Sequence, residues 1–511
     1  MRNFIKASLF ILLLLGISNE RLAAQNSGKQ INIRHANSLK GDKKRGYQRL
    51  IGDVQFEHQG AVMSCDSAHF HPEANTVEAY GHVHIQQGDS LHLWGDELNY
   101  NGKDGKADVR KNVRMTDGQM TLTTDFISYD TKSKVASYTT GGKIISKSNT
   151  LTSQIGAYSS ESKTLTFKKN VLLKNPQYDM KCDTLRYHPG SGVAYFIGPT
   201  TIKATNNSNI IYCENGFYDT FKDVCQFQKN AYIVTDGQTL RGDSIWYDRK
   251  NGIGKAIRNV EITDTTQKIT IRGDLAVHYE KTDLSRITGN ALFIQAFEDD
   301  SLFLHADTLQ SAVFHRNEAI KDTSVSQKEI QAFKNVRFYK TDLQGKCDSL
   351  AWNSMDSIMQ MFGRPVLWSG GNQLTAEKVL IFTANGEIHK LILEENAFII
   401  SQEDTIRFNQ IKGRKMTGHF KNNELYKIYV EGNGQTLYYA RDKNLLLGVN
   451  RADCSRLEIR VKENEVESIT FYDKPEATLY PPLELSPKEA FLKGFKWRGQ
   501  EQPLSVKDLF R

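Results

Sequence analysis

Helical periodicity is missing from this chain: no window holds a sustained 3.6-residue apolar repeat, so helices can only be minor. Proline is scarce, at 10 of 511 residues, and together with 37 glycines that excludes collagen-like and proline-rich linker classes. Long apolar runs are lacking too. The one exception, Ala7 to Ile17, is too short for a membrane span, and a mean hydropathy of −0.50 rules out a multi-span membrane protein. Catalytic signatures are absent: there is no G-x-S-x-G, H-E-x-x-H, P-loop, C-x-x-C, or G-x-G-x-x-G after a strand. The net charge of +7 includes +2 from the first 24 residues, where Arg2, Lys6 and Arg21 outweigh Glu20. Lys and Arg are scattered, which leaves no electrostatic footprint for nucleic acid. Hydrophobic residues at 39% suffice to bury a core.

Residues 1–24 read as a signal peptide, with Arg2 and Lys6 before the apolar run and a small-residue cleavage site at Leu22-Ala23-Ala24. No cysteine follows the run closely, since the first is Cys65, so a lipid-modified N-terminus is not expected. The mature chain is expected to be exported and soluble.

What fills the rest is repetition. A short phrase recurs: Gly52-Asp53-Val54, Gly81-His82-Val83, Lys111-Asn112-Val113, Gly142-Lys143-Ile144, Lys169-Asn170-Val171, Gly198-Pro199-Thr200 and Lys229-Asn230-Ala231. It continues as Arg258-Asn259-Val260, Gly289-Asn290-Ala291, Lys334-Asn335-Val336, Gly363-Arg364-Pro365 and Glu395-Asn396-Ala397. The steps are 27 to 32 residues apart from one of 45, where residues 316–330 read as an inserted polar loop. A second phrase keeps the same beat, as in Cys65-Asp66-Ser67-Ala68-His69-Phe70, Gly95-Asp96-Glu97-Leu98-Asn99-Tyr100 and Cys182-Asp183-Thr184-Leu185-Arg186-Tyr187.

Within these phrases apolar residues alternate with polar ones, the mark of a half-buried strand. The alternation changes phase at the small-residue–Asp pair: Tyr178, Met180 and Cys182 are followed by Leu185 and Tyr187. A strand cannot change phase without a bulge or bend, so this pair predicts a corner at which Asp bonds a nearby amide. A recurring corner Asp is structural, since an active-site acid would occur once. Turn sequences such as Pro72-Glu73-Ala74-Asn75 and Pro189-Gly190-Ser191-Gly192 predict hairpins and antiparallel neighbours. The fold class is all-β: bent antiparallel strands stacked in repeats of about 29 residues. Repeats occupy 25–315 and 331–480. In the tail, 481–511, Ser486-Pro487-Lys488-Glu489 resembles a helix start and predicts a short helical cap, or a segment that docks on a partner.

The inner surface is the candidate binding site. Val54, Phe56, Val83, Ile85, Val113, Met115, Val171, Leu173, Val260 and Ile262 would line one wall, and Phe70, Tyr100, Tyr129, Tyr187 and Tyr247 the other. The walls either meet as a closed core or leave a seam, in which case they form a groove for acyl chains. His69, His71, His82, His84 and His92 alternate with apolar residues and point outward, a solvated face in preference to a metal site. Most of the six cysteines sit at or near corner slots as small buried fillers; a Cys182–Cys213 disulfide requires adjacent strands.

The recurring [GK]-N-V-x-[IL] and small-Asp-x-[LI]-x-Tyr phrases resemble the OstA-like family, which includes LptA-type periplasmic bridges and the N-terminal domain of LptD-type outer-membrane proteins. The resemblance covers roughly residues 48 to 470. It implies an elongated open β-jellyroll in the periplasm, in reach of the outer membrane. It further implies lipopolysaccharide with its lipid A acyl chains in the groove, and other lipopolysaccharide-transport proteins joined end to end by strand pairing, the outer-membrane assembly protein among them. It implies no cofactor and no catalysis. The rival readings are a carbohydrate-active β-solenoid enzyme and a structural or adhesive cell-surface array.

Overall fold

The computed structural model describes residues 30–511, except 43, 90, 119, 160, 236, 315–326, 354–356, 385–386, 422–423, 443–444, 463–464, 482–483 and 487. The expected signal peptide and residues 316–326 of the expected inserted loop lie outside the described residues, and a strand, Gln327–Lys340, begins where the description resumes. There are two compact units: unit 1 comprises residues up to 236 with 241–251, and unit 2 comprises 237–240 with 252–511.

Both units are built of antiparallel strands; among the described residues there are thirty-four strands and no α-helix. Each 29-residue repeat is a pair of strands about as long as Tyr47–His58 and Ala61–His71, paired to each other and to the next pair in chain order. At one layer of unit 1 the strands are cut at the corner, into Val135–Tyr138 and Gly142–Ser146, and Asn149–Ser153 and Ile155–Ser159.

The corner is a β-bulge. Ile51 pairs with Ser67 and Val54 with Cys65, so Gly52 and Asp53 together oppose Asp66. The same slip recurs at Lys169-Asn170 opposite Asp183 and at Lys334-Asn335 opposite Asp348. Both bulge residues take the left-handed conformation: φ is 62° and 51° at Lys111 and Asn112, and 57° and 54° at Lys229 and Asn230. Asn and Gly tolerate that region best, which is why the phrase favours them. The acid of the facing strand then ties the bulge down. Asn112 Nδ2 donates to Asp96 Oδ2 at 2.6 Å, Asn230 to Glu214 at 2.6 Å and Asn290 to Asp274 at 3.1 Å. Where the layer carries glycine the acid lies directly over it, and a Cβ on Gly81 would fall 2.3 Å from Asp66 Oδ2.

Asn112→Val is therefore expected to cost about 1–3 kcal/mol, since a β-branched residue is strained there and the Asp96 bond is lost, whereas Asn112→Gly should cost less. Urea midpoints of the two variants check this.

The phase change appears as expected. Met63 and Cys65 are buried, then Ala68 and Phe70, and both sets face one interior, because Phe56 and Phe70 from opposite sides of the corner approach to 6.1 Å between ring centroids. Phe56, Phe167, Leu98 and Leu185 are almost wholly enclosed in unit 1, as are Phe338, Met361, Ile381 and Leu393 in unit 2.

The expected helical cap is reduced to lone 3-10 turns. Among the described tail residues only single 3-10 turns form, Gly499–Glu501 and Val506–Phe510. Ser486 Oγ donates to the Glu489 side chain and caps no helix. The tail runs over the outer side of unit 2. Leu492 is buried in a cluster with Phe398, Ile400, Phe408, Leu437, Tyr439 and Val449.

Candidate functional site

Unit 1 encloses a cavity of about 970 Å³, toward the upper end of the range for small-molecule sites. The alternation of each strand delivers its walls. From one side of the corner come Met63, Ile85, Leu93, Met115, Leu122 and Ile144; from the other come Tyr100, Ile127, Tyr129, Tyr158, Leu165 and Phe167. Both rows of hairpin loops reach its rim, with Gln59, Gln87 and Asp117 on one row and Thr131, Lys134, Lys163 and Phe221 on the other. Lys134 and Lys163 are exposed there, and so is Phe221, at 64%.

The walls carry little charge. Burial pushes the Tyr100, Tyr129 and Tyr158 hydroxyls above the ordinary tyrosine range, so they stay protonated at neutral pH. Tyr100 shares a 2.5 Å hydrogen bond with buried His58, and Tyr138 shares one of 2.7 Å with Ser153. Gly142 and Gly156 make room for the Tyr138 ring, since a Cβ on Gly156 would come within 2.2 Å of it. Gly142-Lys143-Ile144 carries the repeat phrase into this broken layer, whereas Tyr138 stands outside the phrases and nothing in them points to its ring on the cavity wall.

Of the residues expected on the inner walls, Ile85, Met115, Tyr100 and Tyr129 line the cavity. Leu173 lines a much smaller one of about 40 Å³ with Tyr178, Met180 and Phe196. Val54, Phe56, Val83, Val113, Val171, Phe70 and Tyr187 are buried in unit 1 away from both cavities, as packing between the walls. Tyr247 is half-buried in unit 1; in unit 2 Val260 is buried and Ile262 half-buried.

The histidines divide. His82 is exposed and bonds Asp66, which raises its pKa through that bond and the carboxylate's charge. His84 and His92 lie 3.1 Å apart, stacked with Trp94, and Arg114 lies over the indole. Burial, then the His92 ring, lowers the pKa of His84. Among the described residues no group of three or more His, Cys, Asp or Glu is placed to hold a metal. Cys182 and Cys213 are unbridged, because the strand Val193–Ala204 runs between theirs. Burial pushes both thiols up to about 12.

Residues 28–183 match the family described as OstA-like protein. Among solved structures, the chain is similar to LptH of Pseudomonas aeruginosa, described as the LptA homologous periplasmic component of the conserved lipopolysaccharide transport device. That likeness has 15% identity and a TM-score of 0.16 over 29% of this chain and 94% of that one. No curated protein matches. Most of the cavity wall falls within the residues that match this family.

Proposed function

We propose that the protein binds lipopolysaccharide in the periplasm by taking its acyl chains into the unit 1 cavity, and passes it on without chemical change. The cavity carries this reading: an apolar chamber of about 970 Å³ with lysines at its rim, within an OstA-like stretch. Each methylene moved from water into such a chamber stabilises by about 0.8 kcal/mol, so one acyl chain supplies the driving force. Lys134 and Lys163 stand where an emerging phosphate would pass.

Displacement of a fluorescent fatty-acid probe from the mature protein tests this. Lipopolysaccharide should displace the probe, and its de-acylated saccharide should not. Failure of the protein to hold the probe, or equal displacement by the saccharide, would overturn the proposal; the latter result would favour a carbohydrate site.

A further inference from the structure

The tail of unit 2 is held by side chains that occupy one slot of the repeat. Gln344, Gln373 and Gln410 each stand three residues before the small corner residue of their layer, Cys347, Ala376 and Gly413. Gln373 and Gln410 are wholly buried and Gln344 nearly so. A buried primary amide without partners is costly. Gln373 and Gln410 take theirs largely from the tail, whereas Gln344 donates to Lys340 O and Thr341 O of its own hairpin. Gln410 donates to Ala490 O at 2.9 Å and accepts from Leu492 N at 2.8 Å. Gln373 repeats the contact six residues on, donating to Lys496 O at 2.8 Å and accepting from Arg498 N at 2.6 Å. Another four residues along, Gln344 accepts from the Gln502 side chain at 2.8 Å. In unit 1 the same slot holds His92, Thr121, Thr150 and Asp179.

Side chains of the tail fill the spaces between these rungs. Leu492 enters the cluster of Phe398, Ile400 and Val449; Phe495 and Trp497 lie against Phe408, each ring 5.2 Å away. Glu501 accepts from the Arg498 guanidinium at 2.8 Å and from Lys346 at 2.6 Å, which together hold its carboxyl down to about 2. Leu509 is buried at the far end, and Phe510 meets His305 at 4.5 Å.

We propose that the outer face of unit 2 is a peptide-recognition site, and that residues 484–511 are its ligand, a non-covalent strap supplied in cis. Glutamine pairs read the main chain at positions i and i+2, as a neighbouring strand would, and apolar pockets with one lysine read the side chains. The ligand class is an extended segment with an apolar residue at the first rung and an acid just before the third. The linkage to the last strand raises the effective concentration of the strap and is not needed for recognition.

The test is made on the full chain. A protease site inserted between Tyr480 and Glu484 is cut after folding, and the products are run by gel filtration at micromolar concentration. The 484–511 fragment is expected to co-elute with the body, and a labelled synthetic 484–511 peptide to exchange into the cut protein. The same peptide carrying Leu492→Asp should exchange in at least 10-fold more weakly. The Gln373→Ala/Gln410→Ala chain, first checked uncut for unchanged hydrogen exchange in its inner strands, should release the fragment at least 10-fold more readily. If the wild-type fragment separates on cutting, or the double variant retains it equally well, the proposal is overturned. Should the double variant fail the folding check, the Leu492→Asp peptide decides alone: exchange as strong as the unaltered peptide overturns the proposal.

Discussion

Val171→Asp should unfold unit 1. Val171 is fully buried opposite Cys182, in the strand Thr164–Lys174, whose neighbours on both sides are also strands of the array. The substitution forfeits about 1.5–3 kcal/mol of apolar burial and puts a carboxylate in a fully buried position, at a cost of several kcal/mol more. Few single changes exceed about 4–5 kcal/mol, and this one should. In a stacked array each layer is held by its neighbours, so a failed layer takes adjoining ones with it. The expected readout is loss of amide protection and of protease resistance across unit 1. Leu185→Asp should behave alike, since Leu185 pairs with Phe167 in the same layer and is as deeply enclosed. Lys169→Ala, on the exposed bulge two residues away, should stay within about 0.5 kcal/mol.

Met115→Asp should separate binding from folding. Met115 is half-buried on the cavity wall near the end of its strand, so the fold can keep the carboxylate hydrated through the cavity. An acyl chain in the cavity would strip that water away, and a penalty of about 2.7 kcal/mol already lowers affinity 100-fold. The expectation is at least that loss in fatty-acid probe affinity with a nearly unchanged urea midpoint. Arg114→Ala, one residue along and on the opposite face over Trp94, should leave affinity unchanged.

The architecture was largely legible because the bulge writes itself into the sequence twice, once as Lys-Asn or Gly-x at left-handed positions and once as small-Asp on the facing strand. The corner acids hold the bulges, as Asp96 does at Asn112 and Asp274 at Asn290. The two phrases belong to one corner, which alternation alone does not show: it marks the strand with a single residue at the bulge, Asp66 after Cys65, whereas the strand with two residues there, Gly52-Asp53, keeps its parity and looks undisturbed.

The cavity was harder. Period-2 patterning says which side chains turn inward, and Val83 and Ile85 do so equally, yet Val83 is sealed beside the corner and Ile85 lies on the chamber. Distance from the corner separates them, since folded strands diverge away from the bend. The tail falls short of a full helix for a different reason. Ser486-Pro487-Lys488-Glu489 has the local chemistry of a helix start, but long-range bonds to Gln373 and Gln410 take the main-chain groups that a helix would use. The signal that could have found this was the recurrence of glutamine in one slot of three layers.

The most direct test of the lipid-carrier account is site-specific photocrosslinking in cells that make lipopolysaccharide, with the photoreactive residue placed in turn at Ile85, Met115, His84 and Arg114. Adducts with lipopolysaccharide are predicted at Ile85 and Met115 and not at His84 or Arg114. Equal labelling of all four, or none at the two inward positions, would contradict it.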